Sequence, residues 1–191
     1  VESARAADSS GAIRFDVEDA ARLSYADNAF DQIIYLQQLL SCIDRDDIRA
    51  RAIHEAFRVL RPGGVALFSV LCYEVRRASW VYRGLMRYWR LLRWLRGTDV
   101  TTQATPWMRL GNKFNPRALL DKEPYVYWFR IEELVTRLTR AGFEIRGIAS
   151  SAQLRAGSLF DRVEPLSARP LEGALYAVAV KPMTLSHGES A

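Results

Sequence analysis

The chain has 191 residues, a hydrophobic fraction of 49% and a formal net charge of +5, enough for one sizeable core and too little for two comfortable domains. No apolar run approaches the roughly 18–20 residues of a membrane span, and Val1 to Gly11 lacks the apolar centre of a signal peptide. Cys42 and Cys72 stand thirty positions apart with no C-x-x-C and no histidine cluster, which argues against a disulfide framework and a zinc site and predicts two reduced thiols packed as small apolar residues.

Val1 to Gly11 reads as an internal start, the tail of a helix. Ile13 to Phe15 is a short β-branched and aromatic run, a predicted strand ending at Asp16. Ala29 to Leu36 is a second strand, expected to be buried on both faces by its apolar continuity. Asp44 to Leu60 has helical spacing, with Ile48, Ala52, Ile53, Ala56, Phe57 and Leu60 in one stripe and Asp44 as N-cap. Arg61-Pro62-Gly63-Gly64 ends that helix, and Val65 to Leu71 follows as a third buried strand. The order strand, helix, strand with short turns points to parallel βαβ units. His54, in the predicted helix, and His187, in a polar tail, show no ligand or catalytic pattern.

The positive charge is local. Tyr73 to Arg96 carries seven arginines against one acid, Glu74, whereas the rest of the chain holds 20 bases and 21 acids. Read as a helix, this segment places Arg76, Arg83, Arg87 and Arg90 on one face and Val81, Leu85, Tyr88, Trp89, Leu92 and Leu95 on the other. Three roles suit that pattern: a lid with solvated arginines, peripheral association with anionic lipid headgroups, and contact with nucleic-acid phosphates. Charge so concentrated weakens the nucleic-acid reading for the protein as a whole. Thr105-Pro106-Trp107 and Glu123 to Trp128 add aromatic residues. Arg130 to Ala141 is an amphipathic helix, and Ala141-Gly142-Phe143 turns into a strand over Phe143 to Ala149. Ser150 to Glu172 reads as irregular, Gly173 to Val180 as a last strand, and the tail from Lys181 as disordered. Two strands without an intervening helix predict an antiparallel pair at the sheet edge.

The blocks F-D-V-E-D-A, A-D-N-A-F-D, R-V-L-R-P-G-G and A-G-F-E-I stand in an order and spacing that resemble the class I S-adenosylmethionine-dependent methyltransferases of the type 11 kind. The likeness covers Ile13 to Ser69 and Tyr127 to Val180. It implies an α/β, Rossmann-like sheet, mostly parallel with an antiparallel C-terminal edge pair, with residues 1–181 as a partial domain, an insert over 73–128 and a tail over 182–191. The cofactor it implies is S-adenosylmethionine. Asp19 would accept a hydrogen bond from the adenine amino group, the Ala20 backbone would read the ring, and Tyr35, Leu36 and Gln37 would flank the methionine arm. Tyr125, Tyr127 and Trp128 fall where such enzymes build the acceptor pocket. The glycine-rich turn and the ribose-binding acid of that family have no counterpart in this sequence, and the family's missing first strands would leave a gap in the sheet.

The resemblance implies methyl transfer to a small-molecule or lipid-like acceptor in the cytoplasm, peripheral to the membrane if the 73–96 helix docks there. The alternative is a non-catalytic methyltransferase-like binding protein that uses that helix for membrane or partner association. No residue has a claim to be a catalytic base and no metal is expected. A nucleotide-dependent oxidoreductase is disfavoured by the antiparallel final pair and the R-P-G-G turn. By itself the 191-residue chain is expected not to bind the cofactor with useful affinity.

Overall fold

The computed structural model describes residues 2, 12–110 and 112–183. Strand β1 (Phe30–Tyr35) leads through a one-turn helix α1 (Leu39–Cys42) into α2 (Asp46–Val59) and then β2 (Leu60–Leu71). β1 and β2 pair in parallel, as expected for a strand–helix–strand unit. The stripe predicted for α2 is the packed one: Ala52, Ile53 and Ala56 are buried. The cap differs, because α2 begins after Arg45 with no side-chain cap, and Asp46 and Asp47 occupy its first turn instead. Carboxylates there meet the positive end of the helix dipole.

The Arg61-Pro62-Gly63-Gly64 segment does more than end a helix. It lies within β2 as an irregularity: Phe30 pairs with Leu60, whereas Gln32, two residues on, pairs with Val65. Gly64 permits this, since a Cβ there would lie 2.8–2.9 Å from the Arg61 carbonyl, the Leu60 side chain and the Asp31 carbonyl.

The basic segment is two helices, not one. A break at Ser79 separates α3 (Tyr73–Ala78) from α4 (Trp80–Arg96), and Gly97 closes α4 in the left-handed conformation. Strand β3 (Ala104–Pro106), the short hairpin of β4 (Arg109–Leu110) and β5 (Lys113–Phe114), a 3-10 turn (Pro116–Leu120) and β6 (Tyr125–Tyr127) complete the insert, with β3 and β6 antiparallel. Helix α5 (Ile131–Arg140), strand β7 (Glu144–Ser150), short helices α6 (Ser151–Arg155) and α7 (Val163–Ser167), and strand β8 (Ala174–Val180) follow. The stretch expected to be irregular therefore holds two helical turns. Ser150 opens the first, its backbone N–H and side chain both engaging Gln153.

The main sheet has the order β1-β2-β8-β7, with β8 antiparallel to both β2 and β7. The predicted antiparallel edge pair is present. β1 forms the other edge, and its outer side has no partner strand among the described residues. The structure departs from the sequence reading in two places. Ile13 to Phe15 is not a strand, and Ile13 is largely exposed. β1 is half-buried rather than buried on both faces, with Ile34 57% and Leu36 50% exposed. The core lies across β2, where Phe68 meets Phe143 and Tyr35 in ring contacts, and continues through Ile131, Leu134 and Leu138 of α5.

Lys181, expected in a disordered tail, is a clamp. Its backbone pairs with Gly63 and Gly64, and its ammonium donates to the Phe57 carbonyl (2.9 Å), the Leu60 carbonyl (2.8 Å) and Asn28 Oδ1 (2.8 Å). A cation on the last carbonyls of α2 satisfies acceptors that the helix cannot. Lys181→Ala is expected to lower stability by about 1.5–3 kcal/mol, the usual worth of charge-assisted bonds, measured by urea denaturation; an unchanged midpoint would show the clamp to be incidental. Of the predicted tail, residues 184–191 lie outside the described residues.

Candidate functional site

A groove of about 440 Å³ follows β1 from Phe30 to Leu36, between the strand and the segment Glu18–Tyr25. Its walls are mostly apolar: Ala20, Leu23, Phe30, Ile33, Ile34, Leu36 and Leu39. Parallel strands present their carboxyl ends to ligands, and the groove reaches that end of β1.

The Glu18–Tyr25 segment has no regular structure, so side chains hold it. Glu55 Oε2 accepts the Leu23 N–H (2.8 Å). Arg58 donates to Glu55 Oε1 (2.8 Å), the Tyr25 carbonyl (2.8 Å), Asp27 Oδ1 (2.7 Å) and the Leu23 carbonyl (3.0 Å). The Arg58 guanidinium holds the Glu55 carboxyl below its ordinary range, helped by the Leu23 N–H. Two residues one turn apart on α2 thus fix the groove's outer wall. Arg58 opens the R-V-L-R-P-G-G block, which sequence reasoning treats only as a turn marker.

The five residues expected at the cofactor fall as follows. Asp19 is exposed and forms a turn: Oδ1 accepts the Ala21 N–H (2.9 Å), and its carbonyl accepts the Arg22 N–H (2.9 Å). Ala20 lines the groove beside it. Tyr35 is 6% exposed; its ring packs on Phe68 and its hydroxyl donates to the Ala52 carbonyl (3.4 Å). Burial pushes that phenol up to about 12, so its side chain is part of the floor and not a proton donor near neutral pH. Leu36 lines the open end. Gln37 does not line the groove; together with Gln38 it adopts the left-handed conformation, φ 55° and 53°. Two successive non-glycine residues in that region are strained and make the sharp exit from β1.

The three residues expected at the acceptor are all engaged elsewhere in the structure. Tyr125 donates to the Asp121 carbonyl (2.6 Å). Tyr127 is buried, donates to Glu133 Oε1 (2.6 Å) and lies under the Arg49 guanidinium at 3.7 Å, with burial and then the Glu133 bond raising it to about 12. The Trp128 indole donates to Thr105 Oγ1 (2.9 Å). These contacts fasten β6 to β3 and α5, and none of the three residues lines the β1 groove.

Cys72 is buried, its thiol pushed up to about 12 by that burial, whereas Cys42 is exposed and does not pack as expected. Arg76, assigned by its spacing to a solvated face, is 7% exposed. It is sandwiched between the rings of Tyr82 (4.0 Å) and Trp128 (4.2 Å), and its Nε and Nη2 have no acceptor. Ring faces hold the cation without replacing its hydrogen bonds. The aromatic residues flanking it in sequence were the available signal; helical spacing alone pointed the wrong way.

The arrangement suits a flat, partly apolar ligand. The aliphatic walls take a ring, and the exposed carboxylate of Asp19, next in the chain to the lining Ala20, is acceptor-only and matches an exocyclic amine. Glu18, the acid that lines the groove, is occupied by the Ser24 backbone and hydroxyl. No paired nucleophile and base line the groove among the described residues.

Comparison with known proteins bears on the fold. Residues 1–68, a little over a third of the chain, match the model of the methyltransferase domain family. Methyltransferase GfsG from Streptomyces halstedii is 42% identical over 52 residues, 27% of this chain and 17% of that protein, so the chain aligns with about a sixth of this relative. Among solved structures, an S-adenosylmethionine-dependent methyltransferase from Methanosarcina mazei superposes with a TM-score of 0.62 at 23% identity, covering 89% of this chain and 68% of that one. A chain of the complex between the Haloferax volcanii Trm112 methyltransferase activator and a methyltransferase gives 0.53 at 15% identity, over 98% and 69%. The [4+2]-cyclase SpnF gives 0.50 at 23%, over 95% and 61%. The fold is the Rossmann-like fold of class I methyltransferases.

Proposed function

We propose that this chain, which belongs by its fold and by residues 1–68 to the class I S-adenosylmethionine-dependent methyltransferases, supplies the adenine end of the cofactor cleft and the acceptor side of a methyltransferase. The observation that carries the proposal is the apolar groove along β1, lined by Ala20 and Leu23, with the exposed Asp19 adjacent to Ala20 in the chain. Asp19 keeps a second carboxylate oxygen for the adenine amine, Ala20 and Leu23 take the ring, and Leu36 with Leu39 faces the methionine arm. The fit is to one end only. Among the described residues no glycine-rich turn or paired acid stands ready for the carboxylate and ribose, and the unpaired side of β1 is where further strands would bring them.

When bound, S-adenosylmethionine supplies an electrophilic methyl group on a sulfonium. This chain's part is positional: hold the acceptor in line, exclude water, and keep charge away from the transfer path. The acceptor is assigned to the small-molecule or lipid-like class that the family resemblance implies; the groove itself is apolar and open at Leu36. That a cyclase shares the fold is the reason for keeping a non-methylating binding protein as the second reading.

Calorimetry with S-adenosylmethionine separates the two. The 191-residue chain should give no measurable heat, whereas the chain extended by its natural upstream sequence should bind in the micromolar range, with Asp19→Ala weakening it about tenfold, one good hydrogen bond to a charged group. Micromolar binding by the 191-residue chain alone overturns the division of the site, and no binding by the extended protein favours the second reading.

A further inference from the structure

Helix α4 presents an apolar face to solvent. Trp80, Val81, Leu91, Trp94 and Leu95 are 77%, 53%, 53%, 76% and 64% exposed. At 100° per residue Trp80, Leu91 and Leu95 fall nearly in line, with Val81 on one side and Trp94 on the other. This face is not the one the sequence pattern suggested, because Leu85, Trp89 and Leu92 turn inward. The helix cannot rotate to hide it. Trp89 Nε1 donates to the Ala118 carbonyl (2.8 Å), Tyr88 to the Leu119 carbonyl (2.9 Å), Arg96 to the Leu120 carbonyl (2.7 Å), and Arg93 forms a bidentate pair with Asp121.

Arg83 and Arg90 run along the Trp94 flank of this face, Arg87 stands between the two tryptophans, and with Arg77, Tyr73 and Thr102 they line a shallow groove of about 220 Å³ that contains no carboxylate. None of these four arginines has an ion-pair partner among the described residues. A strip of exposed aliphatic and indole side chains beside unpaired guanidinium groups is a particular combination. Phosphates satisfy the arginines bidentately, and indoles suit the boundary between water and hydrocarbon. The aliphatic residues decide between surfaces: a polynucleotide could stack on Trp80 and Trp94, but it offers Val81, Leu91 and Leu95 no apolar environment.

We propose that the outward face of α4 is a membrane-docking surface that lies in the headgroup layer of an anionic bilayer, with Trp80 and Trp94, about 21 Å apart along the axis, as its two anchors. The arginine flank supplies selectivity for anionic lipid and the apolar strip supplies insertion. The proposal goes beyond the methyl-transfer reading and does not depend on it.

The test is sedimentation of the whole chain with vesicles of phosphatidylcholine, with and without 30% phosphatidylglycerol, together with tryptophan quenching by brominated lipid. Binding to the anionic vesicles should exceed binding to the neutral ones by at least tenfold at low salt and fall at least tenfold in half-molar sodium chloride. Trp80→Ser with Trp94→Ser should abolish quenching and weaken binding at least tenfold. Arg83→Gln, Arg87→Gln and Arg90→Gln together should remove the preference for anionic lipid. All these positions are exposed, so circular dichroism should be unchanged and loss of binding is not loss of fold. Absence of vesicle binding overturns the proposal, as does salt-independent binding to both vesicles. A dimer broken by the tryptophan pair, without vesicle binding, would assign the face to a second copy. RNA retention lost with the same arginines, again without vesicle binding, would assign it to a nucleic acid.

Discussion

Asp121→Ala should lower the unfolding free energy by about 3–5 kcal/mol, the range for removing one partner of a buried ion pair. Arg93 and Asp121 are 6% and 7% exposed, and meet through Nε–Oδ2 at 2.6 Å and Nη2–Oδ1 at 2.7 Å. The guanidinium also donates to the Thr101 carbonyl (2.7 Å) and the Ala104 carbonyl (2.9 Å). It therefore joins α4 to the 3-10 turn, to the loop after the helix and to β3. Without the carboxylate, the cation stays behind in a dry place with only neutral acceptors. Replacing both residues at once, as Arg93→Met with Asp121→Leu, removes the stranded charge and should recover most of the loss. A urea titration distinguishes the cases. A single variant within about 1 kcal/mol of the parent would place the pair with ordinary surface bridges and refute its role in anchoring the insert.

Phe68→Ala should cost about as much, 3–5 kcal/mol, by a different route. Phe68 is fully buried in the middle of β2, between Tyr35 at a ring separation of 5.3 Å and Phe143 at 5.6 Å. Loss of the ring removes buried apolar area and leaves a cavity that strands on both sides resist closing. Tyr35 is the floor of the β1 groove, so the expected signature is double: a lowered melting temperature and faster proteolysis near Leu36 to Leu39. Phe68→Leu, which keeps most of the volume, should recover more than half of the stability. Equal losses for the two substitutions would show that ring contacts, and not filled volume, dominate here.

Much of the fold was legible in the chain because it rests on local signals. The α2 stripe, the strand after Gly64, the amphipathic α5 and the turn at Gly142 follow from periodicity and from glycine. Gly142 sits at φ 103° with the Phe57 ring against the place a Cβ would occupy. Elements that depend on a partner were misread. Ile13 to Phe15 has strand composition, but composition alone does not place a segment in a sheet, and this one lies outside the sheets. The burial of β1 was overstated because apolar continuity is the mark of a strand covered on both faces, whereas Ile34 of β1 is 57% exposed.

The candidate site was legible where it is apolar and obscure where it is charged. Ala20 and Leu36, both named from the family pattern, line the β1 groove. Arg58 and Glu55, which hold its wall, lie more than thirty residues from their partners, and nothing local marks that pairing. Five of the seven arginines of the basic segment divide into three fates that no helical wheel distinguishes: Arg76 between two rings, Arg93 on a buried carboxylate, and Arg83, Arg87 and Arg90 in solvent. Tertiary packing assigned each of them, and only the last group kept the role that spacing had given it.

The placement of β8 between β2 and β7 has a consequence for biosynthesis. Val65 pairs with Val180 and Leu71 with Ala174, so the second edge of β2 remains unpaired until almost the last described strand has emerged. At about 5–20 residues per second that delay is roughly 6–20 s on the ribosome, far longer than the formation of any helix in the chain. Lys181, made immediately after β8, then caps a helix translated more than a hundred residues earlier. The nascent chain thus carries β2 with one edge open over that interval, and the closing event is delivered by β8 and Lys181. Stalling or truncation ahead of Ala174 should yield a species that is captured by chaperones or aggregates, whereas release just beyond Lys181 should yield one that is closed.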